Sequence, residues 1–236
     1  MPGNSVSSEK YNDSRVRNVV SAAFEDWVKA VFDHPPRERK WYWDDQFEAF
    51  WDSFGVADAL AVEYMTRLFS EPHHLQRYSL AQVAQGIWFL IGEASPGKTA
   101  YTLINRDVAL KERIVCIQSM INFFRLFVDP ATKGVADTKY DPFHIACFMW
   151  WDIFPTYGGG QSAEEEIHAA CLNAMAEILT LPSEVCRLNA LHGLNHWHAS
   201  HAEQVEQIVD AFLRDATALT PRVLDYARTA RAGEAL

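Results

Sequence analysis

The chain is short of positive charge: 21 Lys and Arg against 31 Asp and Glu leave a formal net charge of −10. The electrostatic footprint of a protein that coats nucleic acid or anionic lipid is therefore missing, and neither partner is expected. Long apolar runs are missing too. The most apolar stretch, Ile114 to Val128, is interrupted by Gln118, Asn122 and Arg125, and no apolar run follows a basic segment near the start. Neither a membrane span nor export is expected. Cysteine is sparse: Cys116, Cys147, Cys171 and Cys186 stand in apolar or helical surroundings without C-x-x-C spacing. That pattern predicts buried reduced thiols and a cytosolic location. Strand signals are thin, since no two alternating β-rich runs are joined by Asn-Gly or a similar hairpin turn.

What the sequence does have is apolar content at helical spacing, with 49% hydrophobic residues available for a core. Residues 1–13 read as a disordered tail, and a single helical domain is expected over 14–236, with a possible subdomain joint at 129–142. Ser14 leads into Val16, Val19, Val20, Ala23 and Trp27, closed by His34-Pro35-Pro36. Ala57, Leu60, Ala61, Tyr64 and Leu68 stripe a second helix that stops before Pro72. Asn105 to Val128 reads as a central helix packed on most sides and ended by Asp129-Pro130. Ser162 with Glu165 predicts a capping box ahead of a helix that Leu181-Pro182 ends, and Ser183 opens the next. Ser200 with Glu203 predicts another box, ahead of Val205, Ile208, Val209, Phe212 and Leu213. The chain is predicted to be all-α.

One motif argues for an enzyme. "GEASPGKT", residues 92–99, fits the phosphate-loop pattern through Gly92, Gly97, Lys98 and Thr99. Such a loop needs a strand before it, and "IWFLI", residues 87–91, is the candidate. Yet Leu80, Val83, Ala84, Ile87 and Ile91 form a helical stripe through that segment, opened by a Ser79/Gln82 capping box. Pro96 also removes a backbone N–H that the phosphate cradle would use. A helix-ending turn accounts for the same residues.

A second motif argues for metal. "LHGLNHWHASH", residues 191–201, gathers four of the nine histidines. On a helical wheel Asn189, His192 and His196 share one side, and His198 falls elsewhere with Leu191 and Leu194. His192 and His196, at i and i+4, supply two ligands, and His168 of Glu165-x-x-His168 is the candidate third. The other E-x-x-H, Glu71 to His74, is broken by Pro72. A polar helix face with hydrogen-bonded histidines explains the cluster equally simply.

Two aromatic clusters stand out, residues 40–54 and 149–157. Most of their rings are expected in the core, while Trp41, Trp43, Trp150, Trp151 and Tyr157 are candidates for a binding surface.

The stretch "CLNAMAEILTLPSEVCRLNALHGLNHW", residues 171–197, resembles HEAT and armadillo-type helical repeats, with a Leu-Pro turn and an echo of "LNA" at residues 172–174 and 188–190. The resemblance spans roughly residues 160–220. It implies antiparallel helix pairs stacked as an α-α superhelix with a concave face for partners, and it transfers no catalytic residues. The leading expectation is a cytosolic protein without a cofactor that binds another protein or a peptide. A phosphate-loop enzyme and a metal-dependent enzyme built on the histidine cluster are the alternatives.

Overall fold

Ser79 accepts a hydrogen bond from the Gln82 backbone N–H at 3.3 Å, and the Gln82 side chain accepts one from the Ser79 N–H at 3.1 Å. In the computed structural model this reciprocal cap starts a helix over Leu80–Ile91, so the apolar run before Gly92 is helical, as the stripe requires. Val83, Ala84, Ile87 and Ile91 point into the core, whereas Leu80, at the first turn, is exposed and departs from the expected stripe.

The structure describes residues 23–37, 39–44, 46–47, 50–51, 56–92, 99–134, 141–155, 164–215 and 219–235. Helices α1 (Phe24–Phe32), α2 (Asp58–Ser70), α3 (Leu80–Ile91), α4 (Leu110–Phe123), α5 (Pro142–Phe148), α6 (Glu165–Leu179), α7 (Glu184–Asp215) and α8 (Pro221–Arg231) follow in that order. Among the described residues there is no β-strand, and the protein is all-α. The predicted start at Ser14 and the Ser162 cap lie outside the described residues.

Helix boundaries depart from the sequence pattern where the backbone finds a better partner. The central helix begins at Leu110 rather than Asn105, because the Asn105 side chain accepts from the Asp107 N–H at 2.9 Å and holds a turn. Its end is not at Asp129-Pro130. The chain widens into a π turn over Phe124–Val128, with Asp129 N–H bonded to the Phe124 carbonyl five residues back, and Asp129–Thr132 stays helical. The wide turn absorbs the proline, whose ring and missing N–H would disrupt an ordinary α-turn. Helix α6 is preceded by Glu164 in extended conformation, with no side-chain cap. Ser183 does open α7, its hydroxyl accepting from Cys186 N–H at 3.1 Å. The break expected at Ser200 falls at His201, whose φ of −136° and ψ of 44° interrupt α7.

That break reverses the chain. A straight helix would put Asn195 and Asp210 about 22 Å apart. Instead Asn195 is bonded in both directions to Ala235, at 2.8 and 2.9 Å, while Asp210 takes a two-point bond from Arg231. Helix α8 runs beside the first half of α7 in the same direction, bonded at Thr220 to Glu184 and at Tyr226 to His192. Helix α4 packs between α2 and α6, and α3 lies against α1 and α5.

One core cluster extends from Phe24 to Ala230, and Trp27, Trp150, Trp151 and Trp197 are wholly buried within it. The expected joint at 129–142 begins in this packed region: Asp129 accepts from Ser183 N–H at 2.7 Å, and the Thr132 and Ser183 hydroxyls lie 2.8 Å apart. The helical run Leu110–Thr132, with mean hydropathy 1.3, is long and apolar enough by length and composition to cross a membrane. In this fold its Cys116, Ile117, Met120 and Phe123 side chains pack the core.

Candidate functional site

Helix α7 comes unusually close to its neighbours at Gly193. A Cβ there would sit 2.6 Å from Met175 Sδ and 2.7 Å from Trp151 Cβ, so only glycine lets the turn after α5 lie against α7. One helical turn earlier the wholly buried Asn189 fastens that turn. Its amide donates to the Cys147 carbonyl and its oxygen accepts from Trp151 Nε1 at 3.2 Å.

These contacts fix where Asp152 stands. His196 Nε2 lies 3.6 Å from Asp152 Oδ1. His192, one turn earlier, stacks on Phe148 with ring centroids 4.0 Å apart, and its Nδ1 is 2.9 Å from the Tyr226 hydroxyl. Its Nε2 is buried and has no hydrogen-bond partner. Asn189, His192 and His196 thus share one side of α7, as the helical wheel requires, and all three meet residues 147–152. Burial, reinforced by the nearby His196, holds the His192 imidazole down at about 4, so it is neutral near pH 7. Burial pushes the Tyr226 phenol up to about 12, which keeps its proton in place. Donor atoms of Asp152, His192 and His196 all lie within 4.8 Å of one another.

His168 does not join them. It lies among α6 and the His201 break, 5.1 Å centroid to centroid from His201 and 4.0 Å from Glu165 Oε2 at Nδ1. The reversal at His201 carries the last histidine of the cluster toward α6, so the expected trio of His168, His192 and His196 divides between two places. The acidic partner of the α7 pair is Asp152. It sits in the Trp150-Trp151-Asp152 run, whose rings drew attention while its carboxylate did not. Tyr226 carried no local signal, because its meeting with His192 depends on the path of α8.

Beside His168 opens a groove of about 740 Å³ between α6 and the second half of α7. Leu172, Ala176, Leu179, Ile208 and Phe212 floor it, with Glu165, His168 and His201 at one end and Arg187 and Thr180 also on its wall. His168 is buried, and neither of its ring nitrogens makes a hydrogen bond; His201 Nδ1 is likewise buried and unbonded. Unsatisfied buried polar atoms are costly and mark places where a partner group belongs.

The other expected site residues fare differently. Trp41 is buried, Trp150 and Trp151 are wholly buried, and these rings serve the core rather than a binding surface. Trp43 is 48% exposed and keeps that candidacy. Tyr157, Gly97 and Lys98 lie outside the described residues. Gly92 closes α3 and Thr99 begins a 3-10 turn, so the strand that a phosphate loop requires is replaced by helix.

No protein-family model, no curated protein and no solved structure matches this chain.

Proposed function

We propose that the protein is a cytosolic binding protein that takes a helical segment of another protein, or a peptide, into the groove between α6 and the second half of α7. The observation that carries this reading is the groove itself: an apolar floor beside a buried imidazole, His168, with no hydrogen-bond partner. From Glu165 to Thr180, α6 offers a wall about 22 Å long, enough for roughly four turns of an apolar helix face. His168 and His201 supply a hydrogen-bonding end that fixes the register of the bound segment. The net charge of −10 favours basic residues flanking its apolar face. Packing of α6 and of α8 against α7, with the short Leu181-Pro182 turn, supports a HEAT-like arrangement over residues 160–220, and four buried cysteines support a reducing compartment.

The test uses labelled four-turn peptides with a Leu/Ile face and Lys/Arg flanks, titrated with the full chain while anisotropy is read. Saturable binding that weakens with salt and is lost in Ile208→Glu is the expected result. Absence of binding, or equal binding to Ile208→Glu, overturns the reading.

A further inference from the structure

Away from the groove, the nearness of His196 accounts for only part of what surrounds Asp152: the two side chains, each about a quarter exposed, stand 3.6 Å apart. His192 is left over. Its Nδ1 is engaged by Tyr226, and its remaining nitrogen is buried without a partner at the same end of the α5–α7 contact.

We propose that Asp152, His192 and His196 form a binding site for a first-row divalent transition-metal ion, with two imidazoles and one carboxylate as its protein ligands and the remaining positions open to water. The inference is independent of the groove reading.

The donor chemistry selects the ion. Imidazole nitrogen suits zinc, iron, cobalt, nickel and copper better than calcium or magnesium, and two imidazoles with one carboxylate leave coordination positions for solvent or substrate. The spacing also fits. His192 and His196, at i and i+4, rise from one face of a helix, which orients both rings without help from a loop. In a tetrahedron of bonds near 2.05 Å, donor atoms stand about 3.3 Å apart. The Asp152–His196 distance of 3.6 Å is already close to that, and all three donors lie within 4.8 Å of one another, so side-chain rotations of about 1 Å close the site.

The surroundings supply what ligands need behind them. Tyr226 can accept a hydrogen bond from His192 Nδ1–H, the arrangement that turns Nε2 toward a metal and raises its basicity. Phe148 stacks on the same ring and fixes its plane. The Asn189 clamp on Cys147 and Trp151 holds the backbone that carries Asp152. The trio in the groove is less well furnished: the Glu165 side chain is 89% exposed and 4.0 Å from His168. It makes a useful internal control.

The experiment titrates the full chain, purified without a polyhistidine tag, with Co²⁺ while visible absorption is recorded. One Co²⁺ per chain is expected, displaced by Zn²⁺. Intense bands report a four-coordinate, zinc-like site and weak bands a six-coordinate, iron-like one; either supports the proposal. Asp152→Asn and His196→Gln, both close in shape to the residues replaced, should each weaken binding at least about tenfold with an unchanged far-UV circular dichroism spectrum, while His168→Ala leaves it intact. The proposal is overturned by no bound Co²⁺ at millimolar excess, by undiminished binding in both variants, or by loss of binding in His168→Ala instead.

Discussion

Trp151 donates its indole N–H to the side-chain oxygen of Asn189, 3.2 Å away, with both residues wholly buried. The same asparagine donates to the Cys147 carbonyl, so one amide ties both ends of the turn after α5 to α7.

Asn189→Ala removes both bonds and leaves the buried Trp151 indole N–H without a partner, while the Cys147 carbonyl keeps the Trp150 N–H at 3.2 Å. A stranded buried donor costs roughly 1–3 kcal/mol. A loss of about 2 kcal/mol is expected in urea denaturation, together with weaker Co²⁺ binding, since the backbone under Asp152 loses its fastening. Full stability in this variant would show that the turn is held by ring packing alone.

The buried guanidinium of Arg113 makes a two-point pair with Glu164, at 2.9 and 3.0 Å, and a third bond to the Val108 carbonyl. The pair joins α4 to the start of α6. Arg113 first of all, against a smaller opposing effect of burial, holds the Glu164 carboxyl at about 2, below its ordinary 4.5. A carboxyl depressed in the folded state binds its proton more readily when unfolded. Its contribution is therefore complete above pH 4.5 and is lost as pH falls toward 2. Glu164→Gln should flatten the acid limb of a stability-against-pH curve in that window. Glu164→Ala, which strands a buried charge, should cost about 3 kcal/mol at pH 7.

Gly86 sits inside α3, where alanine would normally be favoured by about 1 kcal/mol. Here an added Cβ would fall 2.2 Å from Cε1 of Phe32, a ring with 1% exposure and no room to retreat. Overpacking of that kind costs about 1–3 kcal/mol, so Gly86→Ala should lower the melting temperature despite its better helix propensity. A raised melting temperature would mean that α1 yields where α3 does not.

All four cysteines are buried, and burial pushes the Cys116 and Cys186 thiols up to about 12. Thiolate is the reactive form, so at pH 8 a disulfide reagent such as DTNB should react with the folded chain far more slowly than with free cysteine. All four thiols should react promptly in guanidinium. Rapid labelling of the native protein would reveal an opening of the core.

Local signals carried much of the fold. Ser79 and Gln82 lie three residues apart and cap each other, so their helix and the loss of the phosphate-loop strand could be read from adjacent letters. The Ser183 cap and the shared side of Asn189, His192 and His196 belong to the same class, because helical geometry alone fixes them. Pro130 misled because its ordinary effect is to end a helix, whereas a π turn upstream removes the conflict. Asp152 and Tyr226 reach His196 and His192 across 44 and 34 residues of chain, and no periodicity encodes that meeting. Trp150 and Trp151 were ambiguous for another reason: a large ring with a polar edge suits a core and a groove alike, and only the packing around it decides.

The four wholly buried indoles give the chain a built-in optical reporter. Their emission should be blue-shifted in the native protein and move to longer wavelength on denaturation, without any label. Trp151 is the immediate neighbour of Asp152, so a paramagnetic ion seated there would dim that light, and fluorescence could follow occupancy and unfolding in the same cuvette.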